Sequence, residues 1–304
     1  MREVAVQSRT SESVITSPPL LKKSLTSFIV FVPFIAVASI PFLWPWIAVP
    51  SAMIVAIVLY FLTGQGITVS FHREHTHNSL ELRPAASFVM YLFALFSVQG
   101  QGKEWVTEHK LHHQHTEKEG DPHSPHLSGG VIRGFIHAHC GWFFKRGWHD
   151  YERHVPKLLE KKNLMKLDEL FPYIAVSSFV LPGILVLPFD QSMRGFLAGV
   201  FWGGFVRIGA VHHVTWCVNS VCHLWGTRPF KSNDQSANNL IFGILAFGEG
   251  WHRNHHAFQR SARIGLRWWE FDTGWLTIKV LDFFGQVRTM RLPTPEEMRT
   301  KRVG

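Results

Sequence analysis

The chain has 304 residues, enough for one large domain or two modest ones. Charged residues make up 17% against a usual ~25%, while aromatics reach 13% with 25 Phe and 12 Trp, so lipid is the expected solvent for much of the surface. The net charge of +9 comes with no recognition motif or patterned basic helix, which speaks against nucleic acid and for anionic headgroups or an acidic protein.

Residues 1–23 are polar, rich in Ser and Thr, and read as a disordered tail; Glu3 and Glu12 count against a transit peptide. Residues 24–71 hold neither a charged residue nor a histidine. One helix of that length would far exceed a ~30 Å hydrocarbon core, so the segment must fold back. Pro41, Pro45 and Pro50, with Trp44 and Trp46, mark the reversal at an interface. A second hairpin is expected over 171–218, reversing at the polar turn 190–194. Arg207, His212 and His213 fall in its second helix, where such residues face the protein interior. Two shorter apolar runs, 85–98 and 240–247, suit interfacial or re-entrant segments better than spans.

Four crossings put every histidine-rich block and both termini on one face. Lys and Arg concentrate in 103–166 and 253–304, so that face is expected to be cytoplasmic. Cys140, Cys217 and Cys222, odd in number and without CxxC spacing, argue neither for a disulfide framework nor for zinc, and fit a reduced compartment. The fold class is all-α: an integral membrane protein with a helical cap on two transmembrane hairpins.

Nineteen histidines are the most unusual number in the composition. Three clusters stand out: FHREHTH with His72, His75 and His77; WVTEHKLHHQH with His109, His112, His113 and His115; and GEGWHRNHH with His252, His255 and His256. The HxxHH spacing of the last two sets three imidazoles on one helical face. His72 and His77, five apart, lie about 140° apart on an ideal helix, so His75 is an alternative ligand on geometry alone. Neutral imidazole suits iron, zinc, copper or nickel. Eight or nine convergent imidazoles are too many for one ion, and no HExxH zinc helix is present; two irons with positions open to dioxygen match better. Isolated histidines (His126, His137, His139, His149, His154) read as structural hydrogen-bonders. The acidic residues Glu104, Glu108, Asp121 and Glu249 are candidates to orient ligand imidazoles, with a solvated surface role the alternative for each.

At these residues the chain resembles the membrane fatty acid desaturases, the family of the acyl-CoA and acyl-lipid delta-9 enzymes. The match runs from about residue 60 to 290 and includes GDPHSPH (120–126) and NSVCHLWGTRP (219–229). The resemblance implies a desaturase domain over 24–290, followed by a polar tail over 291–304. It implies a di-iron (Fe2+) centre on His72, His77, His109, His112, His113, His223, His252, His255 and His256, with Asn219 approaching one metal through water. It also implies that Gln99, Trp105 and Thr215 line the bend of an acyl tunnel. The reaction implied is O2-dependent insertion of a cis double bond, at the delta-9 position, into a chain carried on CoA or a lipid. The donor is then a separate ferredoxin or cytochrome b5-like protein, steered by a basic face that includes Lys103, Lys110, Lys161, Lys162, Arg253 and Arg260. Three features depart from the family. The position of His75 is usually bulky, which makes His75 a supporting group or a substitute ligand. Thr107 stands where animal enzymes use an Arg for CoA phosphates. His212-His213 has no counterpart in the animal enzymes and reads as packing or support for the ligands. The rival readings are a di-iron lipid or carotenoid hydroxylase and, more remotely, a histidine-rich metal transporter or sensor.

Overall fold

The computed structural model describes residues 20–303 except Arg146 and Trp148. The tail expected over 1–23 therefore falls mostly outside the described residues. The first helix, α1 (Leu20–Ile47), carries Pro33, Pro41 and Pro45 within it. The helix breaks after these, at residues 48 and 49, and Pro50 opens α2 (Pro50–Thr76) at the position where a fixed φ and a missing N–H cost nothing. Both helices turn large side chains outward: Phe31, Phe34, Phe42, Trp46, Ile54 and Ile57 are all exposed. Such a surface would aggregate in water and suits lipid.

After β1 (Leu80–Leu82) comes α3 (Pro84–Leu95), twelve residues long. At 1.5 Å per residue it extends about 18 Å, too short to span and in keeping with the interfacial expectation. Next are α4 (Gly102–His115) and α5 (Val131–His139). Helix α6 (Lys162–Glu169) bends by 65° into α7 (Phe171–Val186), and α8 (Met193–Leu224) runs 32 residues. Among the described residues three helices are long and apolar enough to cross a membrane: residues 23–47 of α1, α2, and α8. The bent α6–α7 pair would make a fourth. Helix α8 packs against α1, α2 and α7.

Arg207 and His212, both buried, hold this bundle together from within. The Arg207 guanidinium donates to Gly203 O, Phe96 O, Ser178 O and Ser178 Oγ at 2.7–2.9 Å, so its donors are met without a carboxylate. His212 Nε2 donates to Ser97 O at 2.8 Å.

The remaining elements, where the cap is expected, are α9 (Leu240–Leu245), α10 (His252–Ala257), α11 (Thr273–Phe283), β2 (Val287–Met290) and α12 (Pro295–Lys301). Strand β2 pairs antiparallel with β1, directly after the first histidine cluster. Beyond it, Arg291 N–H donates to Ser79 O, Val303 N–H to Pro229 O, and Lys301 Nζ to Ala257 O. The segment 291–303 is thus folded against the cap, with a complete capping box at Thr294 and Glu297.

Candidate metal centre

The first histidine pair depends on a change of helical winding. Over Gly66–Thr76, α2 widens so that hydrogen bonds close at i+5: His77 N–H donates to His72 O at 3.1 Å, and Thr76 Oγ1 donates to Phe71 O at 2.7 Å. A turn closed at i+5 brings residues five apart onto one face, as an ordinary turn does for residues four apart. His72 and His77 accordingly sit with ring centroids 4.7 Å apart. The widening begins where α2 crosses α3 at Gly66; a Cβ there would lie 2.2 Å from Ala94 N.

Helix α4 is anchored at its start by Asp168 of α6, whose carboxylate accepts from Gly102 N–H at 2.8 Å, Lys103 N–H at 3.0 Å and Tyr91 Oη at 2.8 Å. A carboxylate at this end also complements the helix dipole. Helix α10 is held through its other residues. Asn254 Nδ2 donates to Glu270 Oε2 at 2.7 Å and to Ile264 O at 3.0 Å, while Arg253 donates to Phe230 O and Asp234 O. His252, His255 and His256 are left facing inward.

Nine imidazoles converge into two groups, in each of which the ligand atoms lie within 4.8 Å of one another. His72, His77, His109, His113 and His255 form the first; His112, His223, His252 and His256 form the second. Each HxxHH helix serves both groups. On α4 the i and i+4 residues, His109 and His113, go to the first, and His112 between them goes to the second.

This donor set fits a pair of metal ions. Nε2 atoms face each other at 2.9–3.1 Å in the pairs His72–His255, His109–His113, His113–His255, His223–His252 and His252–His256. The buried Nε2 atoms of His77 and His112 have no hydrogen-bond partner at all. Burial, and then the neighbouring imidazoles, hold His77, His109, His112, His113, His252 and His255 well below the ordinary histidine range, so they carry lone pairs rather than positive charge. Inward-facing lone pairs without protons call for cations.

Around this core stands a ring of carboxylates. His72 Nδ1 lies 2.6 Å from Glu249 Oε2, His112 Nδ1 3.0 Å from Asp121 Oδ1, His256 Nδ1 3.1 Å from Asp234 Oδ2, and His223 Nδ1 3.4 Å from Glu117 Oε1. An Nδ1–H donated outward fixes the tautomer that leaves Nε2 free to bind a metal. Two of these partners, Glu249 and Asp121, were candidates from sequence; Glu117 and Asp234 were not. Glu108 instead faces His149 at 3.4 Å. Asp234→Asn should lower metal affinity or turnover about 10–100-fold without unfolding the chain, as loss of such a partner usually does. Titration of the apoprotein with Fe2+ against a competing chelator measures it.

An apolar cavity ends on this centre, and its lining suits a lipid-like ligand. Ile67, Val211, Val214, Val218 and Phe247 line its length, and His72, His109 and His252 its inner end, so it reaches both groups. Gln99, Trp105 and Thr215 meet on its wall. Trp105 Nε1 donates to Gln99 Oε1 at 3.0 Å, and Gln99 Nε2 donates to Thr215 Oγ1 at 2.9 Å.

The family model for fatty acid desaturases matches residues 25–280. This chain belongs to the fatty acid desaturase family. It is 36% identical to Delta-9 acyl-lipid desaturase 1 of Arabidopsis thaliana, over 88% of this chain and 83% of that protein. It is 37% identical to the sn-1 stearoyl-lipid 9-desaturase of Anabaena variabilis, over 84% and 88%. A third relative, the hex-5-enoyl-[acyl-carrier protein] acetylenase of Moorena producens, is 34% identical over 88% and 85%.

In this desaturase His75 stands outside both imidazole groups. It is buried, its ring set edge-on to Tyr91 at 5.4 Å and its Nε2 3.5 Å from Glu74. Within the first cluster the structure groups the i, i+5 pair, His72 and His77, and leaves His75 apart. His75→Ala should keep turnover within about tenfold of the parent, whereas His77→Ala should have none, on the usual cost of a packing loss against a ligand loss. Side-by-side assays of the two variants at equal folded yield decide it. Asn219 lies on the cavity wall one turn before His223. Of the histidines read as structural, His126 donates to His223 O at 3.0 Å, and His139 contacts His213 at 3.0 Å and Ser220 at 3.1 Å. His123 had no role assigned from sequence. It is buried against His112 with ring centroids 4.3 Å apart and also lines the cavity.

Proposed function

We propose that this protein is an O2-dependent acyl-lipid desaturase that places a cis double bond at the delta-9 position of a saturated chain, using two iron ions held by the nine converging histidines. The observation that carries this is the apolar cavity ending on imidazoles of both groups. His72, His77, His109, His113 and His255 would hold one iron; His112, His223, His252 and His256 would hold the other, with Asn219 approaching through water. Bound there, the irons would supply the reductive activation of dioxygen that lets hydrogen be removed from two adjacent methylenes.

The protein's own contribution is position. An unactivated methylene offers no polar handle, so regioselectivity must come from how far the chain is threaded and where it bends. The Trp105–Gln99–Thr215 bridge sets that bend beside His109 and His72. Carboxylates behind His72, His112, His223 and His256 keep those four imidazoles turned inward. The apolar walls keep bulk water from the reacting carbons.

A lipid carrier is favoured over CoA. Thr107 has no exposed surface to offer a phosphate, and the first relatives named above act on acyl-lipids. The topology that accompanies this reading is two transmembrane hairpins. Both termini and the helical cap with its di-iron site then lie on the cytoplasmic side, where a separate ferredoxin or cytochrome b5-like donor can reach them. A transporter or sensor would string histidines along a path across the membrane, whereas these converge on two points. Expression in a host lacking its own desaturase tests the proposal: mass spectrometry should find a new delta-9 double bond in glycerolipids, not in the acyl-CoA pool. Hydroxylated chains in place of alkenes would transfer the assignment to the hydroxylases.

A further inference from the structure

Two openings reach the histidine centre, and their chemistry differs. The apolar cavity arrives at His72, His109 and His252. A second cleft arrives at His113 and His256, one imidazole from each group, and shares no lining residue with the first. Its walls carry Lys118, Lys231 and Lys301 among Gln, Asn, Ser and Thr side chains, with no large apolar residue. Such a cleft faces water and offers an acyl chain nothing.

Lys118 and Lys231 are exposed and, among the described residues, enter no ion pair. Asp234, the carboxylate that lines the cleft, is already engaged by His256, Ser232, Ser236 and Arg253. Several basic residues first expected to steer a donor are instead tied into the fold. Arg253 is buried, Lys161 pairs with Glu74 at 3.3 Å, and Lys110 donates to His154 O at 3.1 Å.

We propose that this lysine-rimmed cleft is the docking and electron-delivery site for an acidic one-electron carrier protein. The inference rests on the desaturase reading, whose stoichiometry requires two electrons from outside the enzyme. Reducing O2 to two waters takes four electrons and four protons. The chain supplies two of each when two C–H bonds are replaced by one C=C bond, so two electrons come from the carrier in successive encounters and two protons from solvent. His113 and His256, which line the cleft, are themselves members of the two groups: His113 Nε2 is 2.9 Å from His255 Nε2, and His256 Nε2 is 3.1 Å from His252 Nε2. A carrier with carboxylates around its redox centre complements Lys118 and Lys231. Redox encounters of this kind are small, transient and steered by charge.

The test uses the iron-loaded full chain in phosphatidylcholine vesicles containing saturated acyl-lipid, driven either by a reduced acidic [2Fe–2S] ferredoxin or by dithionite. Lys118→Glu/Lys231→Glu should raise the KM for ferredoxin at least tenfold while leaving iron content and dithionite-driven turnover unchanged; Lys118→Arg/Lys231→Arg should restore the KM. A ferredoxin KM that moves less than twofold would overturn the proposal. So would an equal loss under dithionite, or an effect confined to vesicle binding when anionic lipid is added, which would assign the lysines to headgroups. If the parent protein makes no alkene under either reductant, the desaturase reading itself fails, and this inference with it.

Discussion

Replacing His112, His255 or His223 by Ala is expected to remove desaturation entirely, beyond the roughly 10–100-fold that loss of a supporting carboxylate costs. The three residues come from different elements, α4, α10 and the end of α8, and His255 belongs to a different group from the other two. Each loss should be local. His112 and His255 are gripped by helices whose anchors, Asp168 for α4 and Asn254 for α10, remain untouched. Membrane insertion and helical content should therefore match the parent, while iron falls below two per chain. Circular dichroism, elemental analysis and turnover on one preparation separate the cases. Overexpression can load zinc into imidazole sites, so iron must be supplied and activity scored beside content. Full turnover in any of the three variants would remove that residue from the centre.

Filling the cavity should be almost as damaging, for an unrelated reason. Val214 lines it one residue from Thr215. Val214→Trp inserts an indole where the acyl chain must lie, and a misplacement of about 1 Å at a reacting centre can cost about a hundredfold. Turnover is expected to fall by at least that factor with both irons retained, the reverse of the histidine variants. Thr215→Val is nearly isosteric but removes the acceptor of Gln99 Nε2. It should leave most turnover intact and spread the double bond over neighbouring positions. Gas chromatography with mass spectrometry of the products reads both outcomes.

How legible this architecture was in the sequence varied with how local its causes are. The HxxHH clusters could be read because three imidazoles at i, i+3 and i+4 share a face whatever else the chain does. The two long hydrophobic runs and the interior position of Arg207 followed from the poor fit of charge with lipid. The first cluster could not be read so directly. Whether His75 or His77 partners His72 depends on a turn closed at i+5, and Gly66 against Ala94 is a tertiary contact with no sequence mark of its own. The division of each HxxHH motif between two groups likewise depends on where α2 and α8 end. Glu117 and Asp234 lie in irregular segments whose carboxylates look like ordinary solvated ones. Only the path of the loop brings Asp234 back to His256, 22 residues later. The C-terminal residues were polar enough to pass for a tail. Their folding rests on main-chain bonds to Ser79 and Pro229, which composition does not reveal.

A two-iron centre at the end of this cavity is expected to make alkenes from saturated lipid-bound chains. The most direct measurement is the fate of labelled dioxygen. Purified, iron-loaded protein in vesicles with a saturated acyl-lipid and reductant, under 18O2, should yield one cis double bond per O2 consumed. The label should appear in water and be absent from the lipid. A hydroxylated lipid carrying 18O, or no product from protein holding two irons per chain, would contradict it.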